Sequence, residues 1–339
     1  MKHDTYGIAQ TTLIVLVVAI VIVASITYFV MKHSGEDEKP ELIQTGSSTV
    51  LPLGIAWAEE YPDADISVSG GGSSHGLNAL LNGEADLGDA SRLMKGSDYE
   101  KVDGDPSLVN SDGTASAAAP TYVWPEKWIV AYDVLTVTIN NDNDFATQLT
   151  YDQLYKIFTN DSPAIYWDEV PDLTGAPHEK IEIYAPDEAS GTYDFFFEEI
   201  IGDWGKDTQV ADTRLNGGDG VYHPSADDNV ILNAIKDNEY AIGFFGYAYY
   251  KENPDLIQTV DISHEGTTFV EASLDNVAYY PMARPLYIYT DHIPEPGTPV
   301  NDYLRYIFTD GQELVPEIGY VKLELVDPAL VTDQLARLE

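Results

Sequence analysis

Three short segments of this chain combine glycine with hydroxyl side chains in a way suited to holding an anion. They are Gly46-Ser47-Ser48-Thr49-Val50, Gly70-Gly71-Gly72-Ser73-Ser74 and Ala189-Ser190-Gly191-Thr192. Each falls where a strand pattern gives way to a helical one. A helix N-terminus exposes unpaired N–H groups and a partial positive charge, glycine allows close approach to that backbone, and Ser or Thr adds donors. Taken singly, each segment is an ordinary helix cap with a tight turn, because caps favour the same residues. Three in one chain are less easily explained that way, since open α/β sheets bind ligands in crevices beyond the carboxyl ends of their strands. A fourth segment, Ala90-Ser91-Arg92, carries one of the few arginines, a residue suited to bidentate contact with oxyanions. Its plainer reading is a surface arginine.

A different chemistry competes for the second segment. Gly72-Ser73-Ser74-His75-Gly76 matches G-x-S-x-G, the strand-to-helix elbow that presents a nucleophilic serine in α/β-hydrolases. Ser74 would be that nucleophile, and His178, His223, His264 and His292 all follow it in chain order. A five-residue match of common residues is weak, and it leaves the other three segments unexplained. The histidines show no metal-ligand spacing, and there is no P-loop. The run Phe195-Phe196-Phe197 and the segment Ile242 to Tyr250 read as core.

Composition narrows the field. Among 339 residues, 17 Lys and Arg stand against 57 Asp and Glu, a formal net charge of −40. Nucleic-acid binding needs clustered cations that this chain lacks. The acidic residues are interleaved with apolar ones, so the charge describes a solvated surface suited to salty surroundings rather than disorder. With 44% hydrophobic residues the chain can bury two domains, or one domain of two lobes. There are no cysteines, which removes disulfides, thiolate metal sites and lipid attachment at an N-terminal Cys.

Thr11 to Met31 is an uncharged stretch, close to the ~20 residues that span a bilayer core. A secretory signal is the rival reading, but its apolar region usually runs only about 7–15 residues. Residues 1–10 form a short tail, 11–31 an anchor or signal-anchor, and 32–40 an acidic tether; the folded body starts near Glu41. Lys2 and Lys32 flank the span and barely mark its orientation.

From residue 41 onward, β-rich runs (ADISVSG, YDVLTVTIN, KIEIYAP, YAIGFFGY, RPLYIYT) alternate with amphipathic stretches (PLGIAWAEEY, HGLNALLNG, YDQLYKIF, SGTYDFFFEEI, DNVILNAIKDN). This alternation predicts an α/β fold with helices flanking sheets. Ser111 to Pro120 and Arg214 to Pro224 read as loops. No internal repeat is present.

The series GSSTVLP, GGGSSHG, ADLGDASR, ASGTYDFF and AIGFFGYAYY, with a later ARPLYIY strand, resembles in this order the substrate-binding proteins of phosphate ABC transporters. The similarity runs from about Thr45 to the GYVKL segment. It implies a type II periplasmic-binding fold, two lobes joined by crossovers near Ala131–Ile139 and Tyr279–Tyr289, closing on a ligand like a hinge. Lobe one would then comprise 41–134 and 282–339, and lobe two 135–281. Carried over by position, the phosphate contacts are Ser48, Thr49 and Val50 in the first loop, Ser73 and Ser74 in the second, and Ser190, Gly191 and Thr192 from the opposite lobe, with Ser91 and Arg92 beside them. The resemblance further implies no enzymatic activity and no cofactor. It implies a monomeric receptor on the extracytoplasmic face of the membrane that delivers phosphate to an ABC-type permease. Other oxyanions (sulfate, molybdate, an organophosphate) or a sensing role remain as alternatives.

Two departures from the family pattern bear on selectivity. Some members place an Asp at the position of Ser91, where it accepts the proton of hydrogen phosphate; sulfate carries no such proton. Here Ser91 is expected to act as a weaker acceptor, with Asp89 or Asp187 as the replacement carboxylate. Some members also carry an Arg four residues before the third-loop serine, where this chain has Pro186. Arg92 is the expected substitute for that charge.

Overall fold

The computed structural model describes residues 39–339 apart from 101–104, 106, 108, 112–115, 117–124, 189 and 205–212. The expected anchor at 11–31, its tail and most of its tether lie outside the described residues, as does most of the expected loop 111–120. No helix among the described residues is long and apolar enough to cross a membrane. All that follows concerns the unit Glu41–Glu339.

The alternating sequence pattern becomes a mixed sheet. Its strands are β1 (Glu41–Gly46), β2 (Asp65–Gly70), β3 (Leu87–Ala90), β4 (Glu126–Ile139), β5 (Gln148–Thr150), β6 (Glu182–Ala185), β7 (Tyr222–Pro224), β8 (Ala241–Gly246), β9 (Gln258–Thr259), β10 (Asp261–Ser263) and β11 (Ala283–Thr290). The order is β2-β1-β3-β11-β4-β8-β6-β7, with β9 also on β4, while β5 and β10 pair separately. In one half β1 lies parallel to β2 and β3. In the other half β6 lies parallel to β7 and β8. Both halves are therefore built like α/β layers, with parallel strands whose carboxyl ends carry the loops to the flanking helices.

The join between the halves is β4. Its first part, Glu126 to Val134, pairs antiparallel with β11; its last part, Leu135 to Ile139, pairs antiparallel with β8. The fourteen residues of this strand thus belong to two lobes in succession. Each lobe has its own core. One gathers Leu53, Trp57, Trp128, Leu286, Ile288 and Phe308, and the other Leu154, Phe158, Trp167, Phe196, Phe244 and Ile262. Helices α1 (Leu51–Glu60) and α2 (Ser73–Leu81) cover the first sheet half. After α3 (Gly96–Glu100) and α4 (Tyr151–Phe158), α5 (Gly191–Phe196) starts the second lobe's longest helical run, which continues as a π-helix over Phe197–Trp204. The phenylalanine run lies here, with Phe196 stacked on Phe244 at 4.3 Å between ring centroids.

Helix α2 approaches the sheet unusually closely. A Cβ on Gly76 would stand 2.5 Å from the Thr45 carbonyl oxygen and 2.6 Å from the Gly46 Cα. Backbone cannot yield as a flexible side chain can, so Gly76→Ala must push α2 outward. The expected cost is about 1–3 kcal/mol of overpacking strain, measurable as a lower denaturant midpoint with an unchanged slope.

Candidate functional site

Strands β2, β1 and β3 are neighbours in one parallel set, so the loops after them lie side by side. Gly46 is in register with Gly70 on one side and Asp89 on the other. Backbone bonds tie the loops together: the Gly72 N–H donates to the Gly46 carbonyl, and the Ser47 N–H to the Asp89 carbonyl. In the first loop, Ser47 Oγ accepts from the N–H groups of Thr49 and Val50 at 3.2 and 3.4 Å. Thr49 and Val50 are buried, while Ser48 is exposed. In the second, Gly72 caps α2 with φ at 88°, a conformation glycine alone adopts easily, and no side chain caps the helix. Ser73 Oγ accepts from the Ser91 N–H at 3.1 Å and lies 3.3 Å from Ser91 Oγ.

The third loop comes from the other lobe and meets the first. A Cβ on Gly191 would stand 3.0 Å from Thr49 Cα and 3.3 Å from its Oγ1. Ser190 Oγ accepts from the Thr192 N–H at 3.2 Å and caps α5. Ser190, Gly191 and Thr192 are all half-buried. The four segments singled out in the sequence therefore converge from two lobes on one cleft.

Two arginines border this cleft, Arg92 and Arg284. Arg92 binds Asp98 through both terminal nitrogens at 2.8 Å, and its other two terminal hydrogens go to Ser74 Oγ and the Leu93 carbonyl. Only Nε is left, so Arg92 acts here as a clamp on Asp98. Ser74 is engaged in the same cluster, donating to Asp98 at 3.0 Å while it accepts from Arg92. The hydrolase reading fails here too, because Ser74 Oγ is bonded to Asp98 and Arg92 and none of its hydrogen bonds runs to a histidine that could act as base.

Arg284, on β11, is the arginine that reaches the first loop. Its Nη2 donates to Thr49 Oγ1 at 3.1 Å, its Nε to Asp133 at 3.3 Å and its Nη1 to Glu198 at 3.0 Å. Its guanidinium lies 4.0 Å from the centre of the Phe195 ring, so one phenylalanine of the run serves as a platform as well as core. Arg214, Arg305 and Arg337 are engaged away from the three loops. A chain of −40 leaves few cations to choose from, and Arg284 stands inside a recognised motif; that scarcity was the signal available in sequence. The position of the absent arginine, Pro186, is buried, and its carbonyl accepts from Tyr222.

Of the two expected replacement carboxylates, Asp89 points away from the loops and Asp187 stands at the third. Asp89 is fully buried and turned inward, accepting from Gln44 at 2.9 Å; burial raises its pKa well above the usual range against that hydrogen bond. Asp187 lends its carbonyl to the Ser190 N–H. The carboxyls that sense Arg284 are Asp133 and Asp194. Burial raises both, and Arg284 opposes the rise. Tyr320, whose hydroxyl donates to the Thr49 carbonyl at 2.9 Å, closes the floor of the first loop. Hydroxyls, helix-start N–H groups and one arginine fork together form a donor set for a compact oxyanion.

Residues 32–311 match the model of a PBP superfamily domain, and the chain belongs to that superfamily. It is 29% identical over 313 residues to the phosphate-binding protein PstS of Staphylococcus saprophyticus, covering 90% of this chain and 86% of that protein. Among solved structures it is similar to a "possible phosphate binding protein" from Planctomyces limnophilus, with a TM-score of 0.71, 29% identity and coverage of 89% and 98%. An ABC-type phosphate transport receptor from Vibrio cholerae shares the fold at a TM-score of 0.57 and 21% identity, over 83% of this chain and 99% of that one.

The Arg92–Asp98 clamp yields a test of its own. Burial pushes Asp98 up, but hydrogen bonds from Arg92, the Lys95 N–H and Ser74 outweigh it and hold the carboxyl below its usual value. A group depressed on folding stabilises above its unfolded pKa, near 4, and that contribution is lost as pH falls through the folded value. Asp98→Asn should cost about 3 kcal/mol at neutral pH, the scale for breaking a buried pair, and should flatten the loss of stability below about pH 4. Denaturant unfolding across this range checks both.

Proposed function

We propose that this protein binds inorganic phosphate in the interlobe cleft and delivers it to an ABC-type permease. The observation that carries the reading is the meeting of Gly191 from one lobe with Thr49 from the other, beside the Arg284 guanidinium. Thr49, Val50, Ser73, Ser91, Ser190, Gly191 and Thr192 are the phosphate contacts, with Ser48 at the rim. Arg284 supplies the charge, while Arg92 and Ser74 hold the second loop in place through Asp98. The relatives named as phosphate-binding proteins support this choice of anion. Selectivity over sulfate is assigned to Asp133, which accepts from Arg284 Nε at 3.3 Å, as acceptor of the proton that only hydrogen phosphate brings.

The lobes divide as 41–134 with 282–339, and 135–281, in keeping with the change of partners along β4 after Val134. The protein is a monomer, held on the extracytoplasmic face by residues 11–31 through the tether 32–40. It has no catalytic role. Another oxyanion is the second reading, favoured by Ser91 standing where some family members have a proton-accepting Asp.

Calorimetric titration decides between them. Phosphate should bind and sulfate should not displace it; dominant sulfate binding would overturn the assignment. Ser190→Ala, Thr192→Val and Arg284→Gln should each weaken phosphate binding by at least about 1.5 kcal/mol, the scale of a charge-assisted hydrogen bond. Unchanged affinity in all three would move the site elsewhere.

A further inference from the structure

Arg284 presents five N–H donors in a fixed fork. Three are engaged, and their acceptors differ in kind. Asp133 is buried directly opposite Arg284 in the antiparallel register, and Thr49 belongs to the first anion loop. Both are fixed parts of the cleft. Glu198 is neither. Its side chain is 58% exposed against 12% for Arg284, and it projects from the π-helical stretch of the second lobe. It also borders, with Arg284, Arg92 and Ser91, a cavity of about 580 Å³ into which a long side chain can swing.

A carboxylate on Nη1 and a dianion on the neighbouring free N–H groups repel each other at that distance, so each weakens the other's hold on Arg284. We infer that Glu198 is an internal competitor for Arg284, occupying the Nη1 edge when no oxyanion is bound and leaving it when one is captured. This rests on the phosphate reading and adds an affinity-setting residue to it. Glu198 lowers the affinity the donor set would otherwise reach. It also supplies a second carboxylate partner, beside Asp133, when the anion leaves. Because Glu198 rides on the helical run that begins at the third loop, the exchange is tied to the lobe that carries Ser190 to Thr192.

The experiment is a phosphate titration of the full chain, in mild detergent to accommodate its apolar N-terminal stretch, followed by calorimetry and, at millimolar phosphate, by thermal shift. Wild type, Glu198→Gln, Arg284→Gln and the double variant form one cycle. Glu198→Gln should bind phosphate about two- to fivefold tighter, the scale of a half-exposed ion pair, and the gain should shrink in 1 M salt. In the Arg284→Gln background the gain should vanish. Equal or weaker binding by Glu198→Gln would overturn the inference, as would a gain of the same size without Arg284, which would mark a general charge effect. Absence of phosphate binding by both wild type and Glu198→Gln would remove the phosphate reading and this inference together, a result distinct from either of those.

Discussion

Asp133 on β4 faces Arg284 on β11 one residue pair before these strands part company. Beyond that point β4 turns to a new neighbour, β8, and enters the second lobe. A carboxylate this deeply buried needs a cation close by, and breaking such a pair is costly. The pair therefore fixes the guanidinium at the junction of the lobes, where Phe195 supports it from one side and Thr49 meets it from the other. The rest of the cleft is arranged around that point. Three parallel strands end beside it in lobe one, and the Gly191 loop reaches it from lobe two.

The acidic surface makes this economy of cations intelligible. At −40 the chain repels an anion at long range, so capture depends on local donors rather than on steering. Hydroxyls and backbone N–H groups can hold a dianion where bulk water is excluded, because their dipoles act at short range in a low-dielectric cleft. A single arginine is then enough charge, provided that it is held in place. Asp133 holds Arg284 through Nε alone, so the terminal nitrogens reach Glu198 and Thr49 and keep one further N–H each.

Much of this was legible in the sequence, and the reasons are specific. The strands and helices around Thr49, Ser73 and Ser190 could be read because glycine and hydroxyl residues sit at each junction, where both local chemistry and hydrophobic period change. The crossover was expected near Ala131–Ile139, and β4 exchanges β11 for β8 within that stretch. The roles of the charged side chains could not be read. Arg92 looked available because Asp98, six residues on, gave no hint that it would turn back and engage both terminal nitrogens. Arg284 and Asp133 lie 151 residues apart, and only antiparallel register brings them together. Long-range pairing of this kind leaves no periodic trace in a single chain.

A strand handed from one sheet half to the other has a mechanical meaning. If the lobes swing about the crossover strands, residues at the handover travel little, while those far out on the rim sweep long arcs. Arg284 sits near the axis and Gly191 on the moving arm. A phosphate resting against Arg284 would keep its charge partner throughout the swing, and only the hydroxyl and amide contacts would be made and broken. The cleft would then act as a lever whose fulcrum is the Arg284 guanidinium.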